Sequence, residues 1–374
     1  MGQSVYVVGS GTYLPGDPIP FDSIDTVLGE LQEAPARIRK WVKSTSRMMK
    51  EVLDIKLVHY AIDPHTREFT DDNVSMAFKA AKVALEAANL SAEKIDLICY
   101  GSAHQDQMPT ASVCIQEMLG IDHCDEFSIH ANCTSSYKAL YLAHELIRNG
   151  KNRNALVISS SISSSELRAE YYNQELVDKE SLFLRWFLCD GAGALVLTCD
   201  PPLSTGFEVE STYIESVGGN RPSLMFNKRP AYWMNPREEY EGGYHHLRQT
   251  FRNLLGTDVF QEEGGSVFFN GLQRMLSKKE IPVDRIRFFQ VNIPTKHIVE
   301  SIMDECETVG IKRSSVYTKL DELGYCGPPM SLICLDKTIR EEVFQPGDRI
   351  VSFVTEVSKF MQAGYSIKYV GNHP

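Results

Sequence analysis

The residue best placed for nucleophilic chemistry is Cys133, in the segment Phe127–Leu140, which reads FSIHANCTSSYKAL. An apolar strand is predicted to end at Ile129, and a turn of small residues leads through the cysteine to a helix that begins near Ser135. The partial positive charge at a helix N-terminus favours the thiolate, and free backbone N–H groups there can hold an oxyanion. The pattern therefore indicates a nucleophile, with a buried structural cysteine as the alternative.

A second segment of chemical interest is Cys189–Leu197, CDGAGALVL, a glycine-rich turn that leads into an apolar strand. Glycine-rich turns cradle phosphates when a helix follows them, because the backbone N–H groups then point at the anion. Neither a helical pattern nor a Lys follows these glycines. The segment is therefore more typical of a structural turn than of a phosphate site.

Short apolar segments rich in Val, Ile and aromatic residues predict strands, and amphipathic segments between them predict helices. Besides the strand ending at Ile129, the predicted strands are Val5–Val8, Ile95–Tyr100, Ala155–Ser160, Ala194–Leu197, Ile286–Val291, Arg349–Val354 and Tyr365–Tyr369. The predicted helices are Asn73–Asn89, Ser135–Asn149 and His297–Val309. Strands that alternate with helices predict an α/β fold with largely parallel sheets.

Two pairs of segments repeat along the chain at offsets of 191 and 194 residues. The pairs are Leu90–Cys99 with Ile281–Gln290, and Ala155–Ser160 with Arg349–Val354. In the first pair, an acidic and a basic residue precede an apolar strand in the same order. The repeat predicts two homologous halves, residues 1–200 with the candidate nucleophile and residues 201–374. Residues 201–280 are then expected to form the irregular beginning of the second half.

Composition and charge exclude several classes of protein. The 374 residues are 43% hydrophobic and 23% charged, which is typical of a globular chain and not of a disordered or collagen-like one. The net charge of −11 disfavours nucleic acid as a partner. No targeting segment is recognised, and no stretch approaches the ~20 apolar residues of a membrane helix. The nine cysteines lack zinc-ligand spacing, so we expect no metal site and a reducing cytoplasm.

Together these segments resemble the thiolase superfamily, and within it the β-ketoacyl-ACP synthase III branch, over essentially the whole chain. Val5–Pro15 resembles the family's opening strand and turn, and Ala131–Ser135 resembles its active-site cysteine motif. Cys189–Ala194 matches its DGAGA segment. The resemblance implies a five-layered αβαβα fold of two similar halves, usually a homodimer, in which Cys133 accepts an acyl group.

Three positions at the expected catalytic centre depart from the family pattern. Asn292 stands where the family has the His of a His-Gln-Ala-Asn motif, and Tyr325 stands where it has the Asn of a Gly-Asn turn. The segment Thr355–Lys359 replaces a glycine-rich loop. In the family, the His and Asn stabilise the enolate formed when a malonyl unit loses carbon dioxide, and one such donor is worth roughly 2.7–4 kcal/mol. Asn292 and Tyr325 still donate hydrogen bonds, but neither is a ready base near pH 7.

The candidate catalytic side chains are Cys133, Asn292, Tyr325 and His297. His297 lies about one helical turn beyond Asn292, so it is a candidate base at the mouth of the substrate tunnel. His104 is another candidate base, in a loop that reaches the acyl pocket in the family. His130, three residues before Cys133, is more typical of a supporting or interface residue.

In the altered C-terminal loop, Glu356 and Lys359 are interpreted as a solvated surface, as an ion pair, or as participants in proton transfer.

A basic cluster around one tryptophan is the candidate binding site for the acyl carrier. Arg37, Trp41 and Lys43 belong to it, and the family has a Trp in this neighbourhood that lies against coenzyme A. A basic patch would also steer an acidic carrier protein. The alternative is an exposed amphipathic helix. The resemblance implies no permanently bound cofactor, with a coenzyme A or phosphopantetheine thioester as substrate and acyl-CoA or acyl carrier protein as partner.

Three functional hypotheses follow. In the first, the chain is a ketosynthase III-like acyltransferase of specialised metabolite biosynthesis, in which Cys133 takes an acyl group and passes it to an acceptor through a C–C, ester or amide bond. In the second, it is an accessory subunit in a heterodimer with a catalytic homologue. In the third, it is a decarboxylating condensing enzyme whose missing His is supplied by His297. Acylation of Cys133 separates the second hypothesis from the others, and release of carbon dioxide separates the third from the first.

Overall fold

The computed structural model describes residues 2–104, 107–202, 205–228, 234–250 and 260–372. The strands in this part of the chain are β1 (Tyr6–Tyr13), β2 (Ile19–Pro20), β3 (Leu57–Val58), β4 (Leu97–Ser102), β5 (Asp125–His130), β6 (Asn154–Ile162), β7 (Asp190–Thr198), β8 (Thr205–Ser216), β9 (Met225–Phe226), β10 (Arg248–Gln249), β11 (Gln261–Glu262), β12 (Gly265–Ser266), β13 (Ile286–Gln290), β14 (Val316–Tyr317), β15 (Arg349–Glu356) and β16 (Met361–Asn372). The α-helices are α1 (Ile24–Leu28), α2 (Ala36–Leu53), α3 (Asn73–Ala88), α4 (Ala111–Leu119), α5 (Ser135–Arg148), α6 (Ser164–Leu167), α7 (Lys179–Phe183), α8 (Pro236–Glu241), α9 (Val267–Lys278), α10 (Lys296–Thr308), α11 (Leu320–Leu323) and α12 (Met330–Glu341).

Within the described residues, ten strands form one sheet in the order β14-β13-β15-β16-β8-β1-β7-β6-β4-β5. The two halves of this order are built alike. Three parallel strands lie at each outer end, β5-β4-β6 and β14-β13-β15, and two antiparallel strands lie inside them. The halves meet where β1 pairs with β8, through Tyr6 with Glu208 and Val7 with Phe207.

The prediction of largely parallel sheets is therefore wrong, because the sheet is mixed. One cause lies between β15 and β16, which are separated by residues 357–360 alone. A parallel neighbour needs a crossover of a dozen or more residues, so a connection this short forces the two strands to be antiparallel.

Two helices lie between the halves of the sheet. The helix α5 packs against β4 and β6 on one side and against β8 and β16 on the other, and α12 packs against β1, β7 and β13. The outer faces are covered by α3, which lies on β1, β6 and β7, and by α9, which lies on β15 with α10 beside it. This arrangement confirms the predicted five-layered αβαβα fold. The division into residues 1–200 and 201–374 stays a prediction.

The region expected to be irregular, residues 201–280, contains β8 and α9, so that expectation is wrong. The strand β8 lies at the centre of the sheet and pairs along its length with β16. Its sequence alternates apolar residues such as Phe207 and Val209 with polar ones, whereas the predicted strands are continuous apolar runs.

No helix in the described part of the chain is both long and apolar enough to cross a lipid bilayer.

Candidate active site

Three side chains of the residue types used in catalysis follow the carboxyl ends of three neighbouring parallel strands. His104 lies two residues beyond β4, Cys133 three residues beyond β5, and Glu166 four residues beyond β6. The strand β4 pairs in parallel with both β5 and β6. The ends of parallel strands meet at one edge of a sheet, which is where open α/β sheets place their ligands. The topology therefore brings these three side chains to a single cavity.

The nucleophile candidate has a tyrosine as its direct partner. The hydroxyl of Tyr325 donates a hydrogen bond to Cys133 Sγ over 3.0 Å. Tyr325 is held by its own backbone, since its carbonyl accepts a hydrogen bond of 3.1 Å from the N–H of Cys189. The ring centroids of Phe187 and Tyr325 lie 6.2 Å apart. The structure places Cys133 and Tyr325 in contact, and their catalytic roles stay predictions.

The pKa of Cys133 is raised to about 12, chiefly by burial and then by the negative charge of Glu356. The hydrogen bond from Tyr325 and the backbone N–H of Cys133 act in the opposite direction. The backbone N–H acts in the direction expected of the helix end, but it does not set the net pKa of the thiol. Burial penalises the charged form more than the nearby donors stabilise it.

A buried carboxylate occupies the N-terminus of α5. Glu356, which is 1% exposed, lies at the end of β15. Its Oε2 accepts hydrogen bonds from the N–H of Thr134 at 3.0 Å and from the Thr134 hydroxyl at 2.6 Å, and its Oε1 accepts one from Ser358. Lys359 Nζ donates instead to the carbonyl of Arg221. Glu356 thus supplies the negative charge that the helix end favours, directly beside the thiol.

The two other predicted catalytic residues come from the segment that follows β13. Asn292 is 6% exposed, and its amide makes no hydrogen bond of normal geometry among the described residues, although it lies close enough to the Tyr137 hydroxyl to act on the pKa of that group. Buried polar atoms are rarely left unpaired, so this amide is available to a ligand. His297 lies in the first turn of α10, and its side chain is outside the described part of the chain.

A cavity of about 370 Å³ joins these groups. Cys133, Asn292 and Tyr325 line it together with His104, His130 and Glu166. Most of its wall is apolar. The apolar lining residues include Leu167, Phe187, Leu188, Met225, Leu247, Phe268, Ile298, Ile302 and Val354. An apolar wall with few polar groups is typical of a small-molecule site.

The two histidines that line the cavity, His104 and His130, differ in their surroundings. His104 is 10% exposed, and its Nε2 lies 4.0 Å from Glu166 Oε2. The backbone N–H of His104 donates to the Ser102 hydroxyl over 3.0 Å. His130 Nε2 lies 3.0 Å from the carbonyl oxygen of Ala103 and so supports the loop that carries His104.

Glu166 is the residue of this edge that sequence reasoning missed. No motif marks it, and the one available signal was its place just beyond β6, which neighbours β4, the strand before His104. Its loop is held by Asp190, the buried aspartate of the glycine-rich segment. Asp190 accepts hydrogen bonds from the N–H of Ala61 at 2.7 Å and from the N–H and hydroxyl of Ser164 at 2.8 and 2.5 Å. Burial raises the pKa of Asp190 to about 6.

The predicted carrier-binding cluster lies on α2. Arg37 and Lys43 are exposed, whereas Trp41 is half-buried with its ring centroid 5.2 Å from that of Trp186. Lys43 and Trp186 line a second cavity, of about 690 Å³. Trp186 is followed directly by Phe187, which lines the Cys133 cavity. The second cavity and the Cys133 cavity are thus bordered by consecutive residues. The role of Arg37, Trp41 and Lys43 in binding the acyl carrier stays a prediction.

Across the described ranges, no group of three or more His, Cys, Asp and Glu side chains is arranged to hold a metal ion.

Comparison with known proteins gives relatives along most of the chain. A family model described as 3-oxoacyl-[acyl-carrier-protein (ACP)] synthase III matches residues 127–218. A β-ketoacyl-[acyl-carrier-protein] synthase III of Histophilus somni (strain 129Pt) is 38% identical over 282 residues, which cover 74% of this chain and 78% of that protein. The protein of the same name from Clostridium perfringens (strain SM101) is 26% identical over 351 residues, or 93% of this chain and 94% of that one.

Solved structures match over nearly the full length. AbyA1, a tetronic acid condensing enzyme, aligns with a TM-score of 0.78 at 18% identity and covers 97% of this chain and 99% of its own. The 3-oxoacyl-[acyl-carrier-protein] synthase III of Aquifex aeolicus VF5 aligns with a TM-score of 0.72 at 21% identity and covers 98% and 100%. At these identities the structural matches bear on the fold alone.

Proposed function

Because the chain belongs to the β-ketoacyl-[acyl-carrier-protein] synthase III family of the thiolase superfamily, we propose that it is an acyltransferase acting through Cys133. Cys133 accepts an acyl group from an acyl-CoA or acyl carrier protein thioester and passes it to an acceptor, in specialised metabolite biosynthesis. The observation that carries this proposal is the Tyr325 hydroxyl 3.0 Å from Cys133 Sγ in an apolar cavity of about 370 Å³.

The first half of the reaction forms an acyl-enzyme. The thiol of Cys133 loses its proton, Sγ bonds to the thioester carbon, and the carrier thiolate leaves and takes up a proton. The hydroxyl of Tyr325 stabilises the sulfur anion because it already donates to Sγ. Burial raises the pKa of Cys133, so the donors around Sγ have to offset that effect when the thiolate forms.

The second half of the reaction is proposed to proceed without loss of carbon dioxide. By the family resemblance, Asn292 and Tyr325 replace the His and Asn that stabilise an enolate in the family. The amide of Asn292 can donate to a thioester oxygen, but it cannot act as a base near pH 7. Transfer to an acceptor that forms no enolate does not require the His and Asn that stabilise the enolate in decarboxylative condensation.

We propose that the thioester carrier approaches from α2. Arg37 and Lys43 supply positive charge for the phosphates of coenzyme A or for an acidic carrier protein, and Trp41 supplies an aromatic face. The family resemblance also supports a homodimer, with a heterodimer with a homologue as the alternative.

Intact-protein mass spectrometry tests the acyl-enzyme. The purified protein is incubated with a panel of acyl-CoA and acyl carrier protein thioesters, beside Cys133→Ala and, as a matched control, Cys199→Ala. The expected result is a mass gain of one acyl group in the wild type and in Cys199→Ala, and none in Cys133→Ala. No gain with any donor contradicts the proposal and favours the accessory-subunit hypothesis.

A malonyl thioester is then added to the acyl-enzyme, and carbon dioxide release is measured. Release of carbon dioxide at a rate comparable to turnover would favour the decarboxylating condensing enzyme instead. His297 would then be the first candidate base to replace by mutation.

A further inference from the structure

The cavity contains a pair of groups that the proposed acylation of Cys133 does not use. His104 Nε2 and Glu166 Oε2 face each other across 4.0 Å, which is too long for a hydrogen bond between them. The Glu166 side chain is 32% exposed and that of His104 is 10% exposed. His104 Nδ1 is buried without a hydrogen-bond partner among the described residues. Neither His104 Nε2 nor the Glu166 carboxylate makes a hydrogen bond among the described residues, so the pair is open to a third group that satisfies both facing atoms.

The chemistry of the two facing atoms selects that group. A carboxylate oxygen accepts hydrogen bonds, and so does Nε2 of a neutral imidazole whose proton is on Nδ1. A hydrogen bond joins heavy atoms about 2.9 Å apart, so one nitrogen can reach both acceptors across the observed gap. An ammonium has three protons to donate, whereas a hydroxyl has one. A primary amine can thus satisfy both acceptors at once, and an alcohol can satisfy only one.

The charge of the cavity favours the same ligand. Among the described lining residues, Glu166 is the one carboxylate, and no Lys or Arg lines the wall. A carboxylate in a partly closed site whose described wall carries no Lys or Arg attracts a cation. The rest of the wall is largely apolar, which suits an amine carried on a hydrocarbon stem.

We propose that the His104–Glu166 pair binds a primary amine as the acyl acceptor and deprotonates it, so that the product is an amide. This inference rests on the proposed function, because it requires acylated Cys133 on the same cavity wall. Glu166 holds the ammonium, and His104 Nε2 takes one proton from it. The amine nitrogen bonds to the thioester carbon, the C–S bond breaks, and Cys133 Sγ takes the second proton. His104 releases its proton to solvent, which leaves an amide, a thiol and one released proton.

A single-turnover experiment tests the acceptor. Isolated acyl-enzyme is mixed with octylamine, 1-octanol or a malonyl thioester, and its decay is followed by mass spectrometry. Working with isolated acyl-enzyme makes the rate independent of how fast each variant was loaded. The wild type should yield the N-octyl amide, and octylamine should shorten the lifetime of the acyl-enzyme far more than 1-octanol does.

The variants Glu166→Gln and His104→Gln should slow transfer to octylamine by about 100-fold, the lower end of what a general base contributes. The matched controls Glu175→Gln and His123→Gln change exposed residues and should transfer at the wild-type rate. Wild-type rates in the cavity variants would overturn the proposal, as would an acyl-enzyme consumed by the alcohol or the malonyl thioester and not by the amine.

A binding measurement separates this inference from the proposed function. Calorimetric titration of unacylated protein with octylamine hydrochloride should show binding that Glu166→Gln weakens at least about tenfold and that 1-octanol does not reproduce. If Cys133 takes up no acyl group but octylamine binds in this way, the proposed function fails and the amine site stands. If the wild type does not bind octylamine, the amine site is overturned whatever the acylation result.

Discussion

At the scale of single residues, two neighbours set the reactivity of Cys133 and act in opposite directions. The hydroxyl of Tyr325 donates to Sγ and lowers the pKa of the thiol, whereas the carboxylate of Glu356 raises it. Burial is the largest cause of the raised pKa, and these two contacts add to its effect and oppose it.

Tyr325→Phe removes one hydroxyl and should raise the pKa of Cys133 further. A hydrogen bond to a charged group contributes about 1.5–3 kcal/mol, so the rate of acylation at neutral pH should fall roughly 10- to 100-fold. The pH dependence of alkylation by iodoacetamide, read at Cys133 by mass spectrometry, measures the shift. Tyr317→Phe is the matched control, since its buried hydroxyl bonds to Glu341 and not to the thiol. An unchanged pH dependence of alkylation in Tyr325→Phe would show that the Tyr325 hydroxyl does not stabilise the Cys133 thiolate.

Glu356→Gln should have the opposite effect. The amide oxygen of Gln can still accept from Thr134, but the negative charge beside Cys133 is gone. The pKa of Cys133 should fall, and alkylation at pH 8 should accelerate several-fold, because each pKa unit corresponds to about a tenfold change in thiolate fraction. The exposed Glu93→Gln serves as the control. Slower alkylation in Glu356→Gln, with the fold retained by circular dichroism, would mean that the carboxylate acts as a base for the thiol.

At the scale of elements, the site depends on how closely α5 approaches β4. Gly101 lies in β4, and a Cβ built on it would lie 2.4 Å from the backbone carbonyl oxygen of Ser135, in the first turn of α5. No flexible side chain is available there to yield, so any larger residue must push the helix away from the strand. The helix N-terminus directly follows Cys133 and its neighbour Thr134, so the displacement would reach the nucleophile.

Gly101→Ala should therefore impair both stability and acylation. Overpacking of a core contact typically lowers the free energy of unfolding by about 1–3 kcal/mol, which urea denaturation measures. The rate of acyl-enzyme formation should fall in the fraction that remains folded. Gly219→Ala is the control, because a Cβ there meets nothing within 4 Å. Wild-type stability and acylation in Gly101→Ala would show that α5 tolerates displacement from β4.

The parts of the site that lie in local sequence patterns could be predicted from the sequence, and those that depend on the pairing of distant strands could not. The turn of small residues around Cys133 and the turn that holds Tyr325 are local patterns, so their place could be predicted and both line the cavity. Glu166 follows no local pattern, because its position depends on β6 lying beside β4. Burial raises the pKa of Cys133 most, and the charge that adds to it comes from Glu356, which is 223 residues away in sequence and is held there by Thr134.

At the scale of the whole molecule, the two similar parts of the sheet pack around α5 and α12 and each supplies part of the cavity. His104, Cys133 and Glu166 come from loops beside the first part, whereas Asn292 and Tyr325 come from loops beside the second. Neither part carries a complete site by itself. Any change that loosens the packing around the two central helices therefore weakens stability and activity together.

The stability of the whole molecule should also depend on pH through a buried histidine. His246 is fully buried and accepts a hydrogen bond of 3.1 Å from the N–H of Asn173. Burial, followed by the positive charges of His245 and Arg248, lowers the pKa of His246 to about 3. Between about pH 3 and its ordinary pKa near 6.5, the unfolded chain therefore binds a proton that the folded chain does not. The free energy of unfolding must then decrease as the pH falls through this window.

From pH 6.5 to pH 5, this one group should lower the free energy of unfolding by about 1.6 kcal/mol, with a slope that grows from about 0.7 to about 1.4 kcal/mol per pH unit. Urea denaturation at a series of pH values measures the slope in the wild type, in His246→Gln and in the exposed control His65→Gln. The side-chain oxygen of Gln can accept from Asn173 without titrating, so the slope should be shallower in His246→Gln and unchanged in His65→Gln. Equal slopes in all three proteins would mean that His246 is protonated equally in the folded and unfolded states, in conflict with its burial against Arg248.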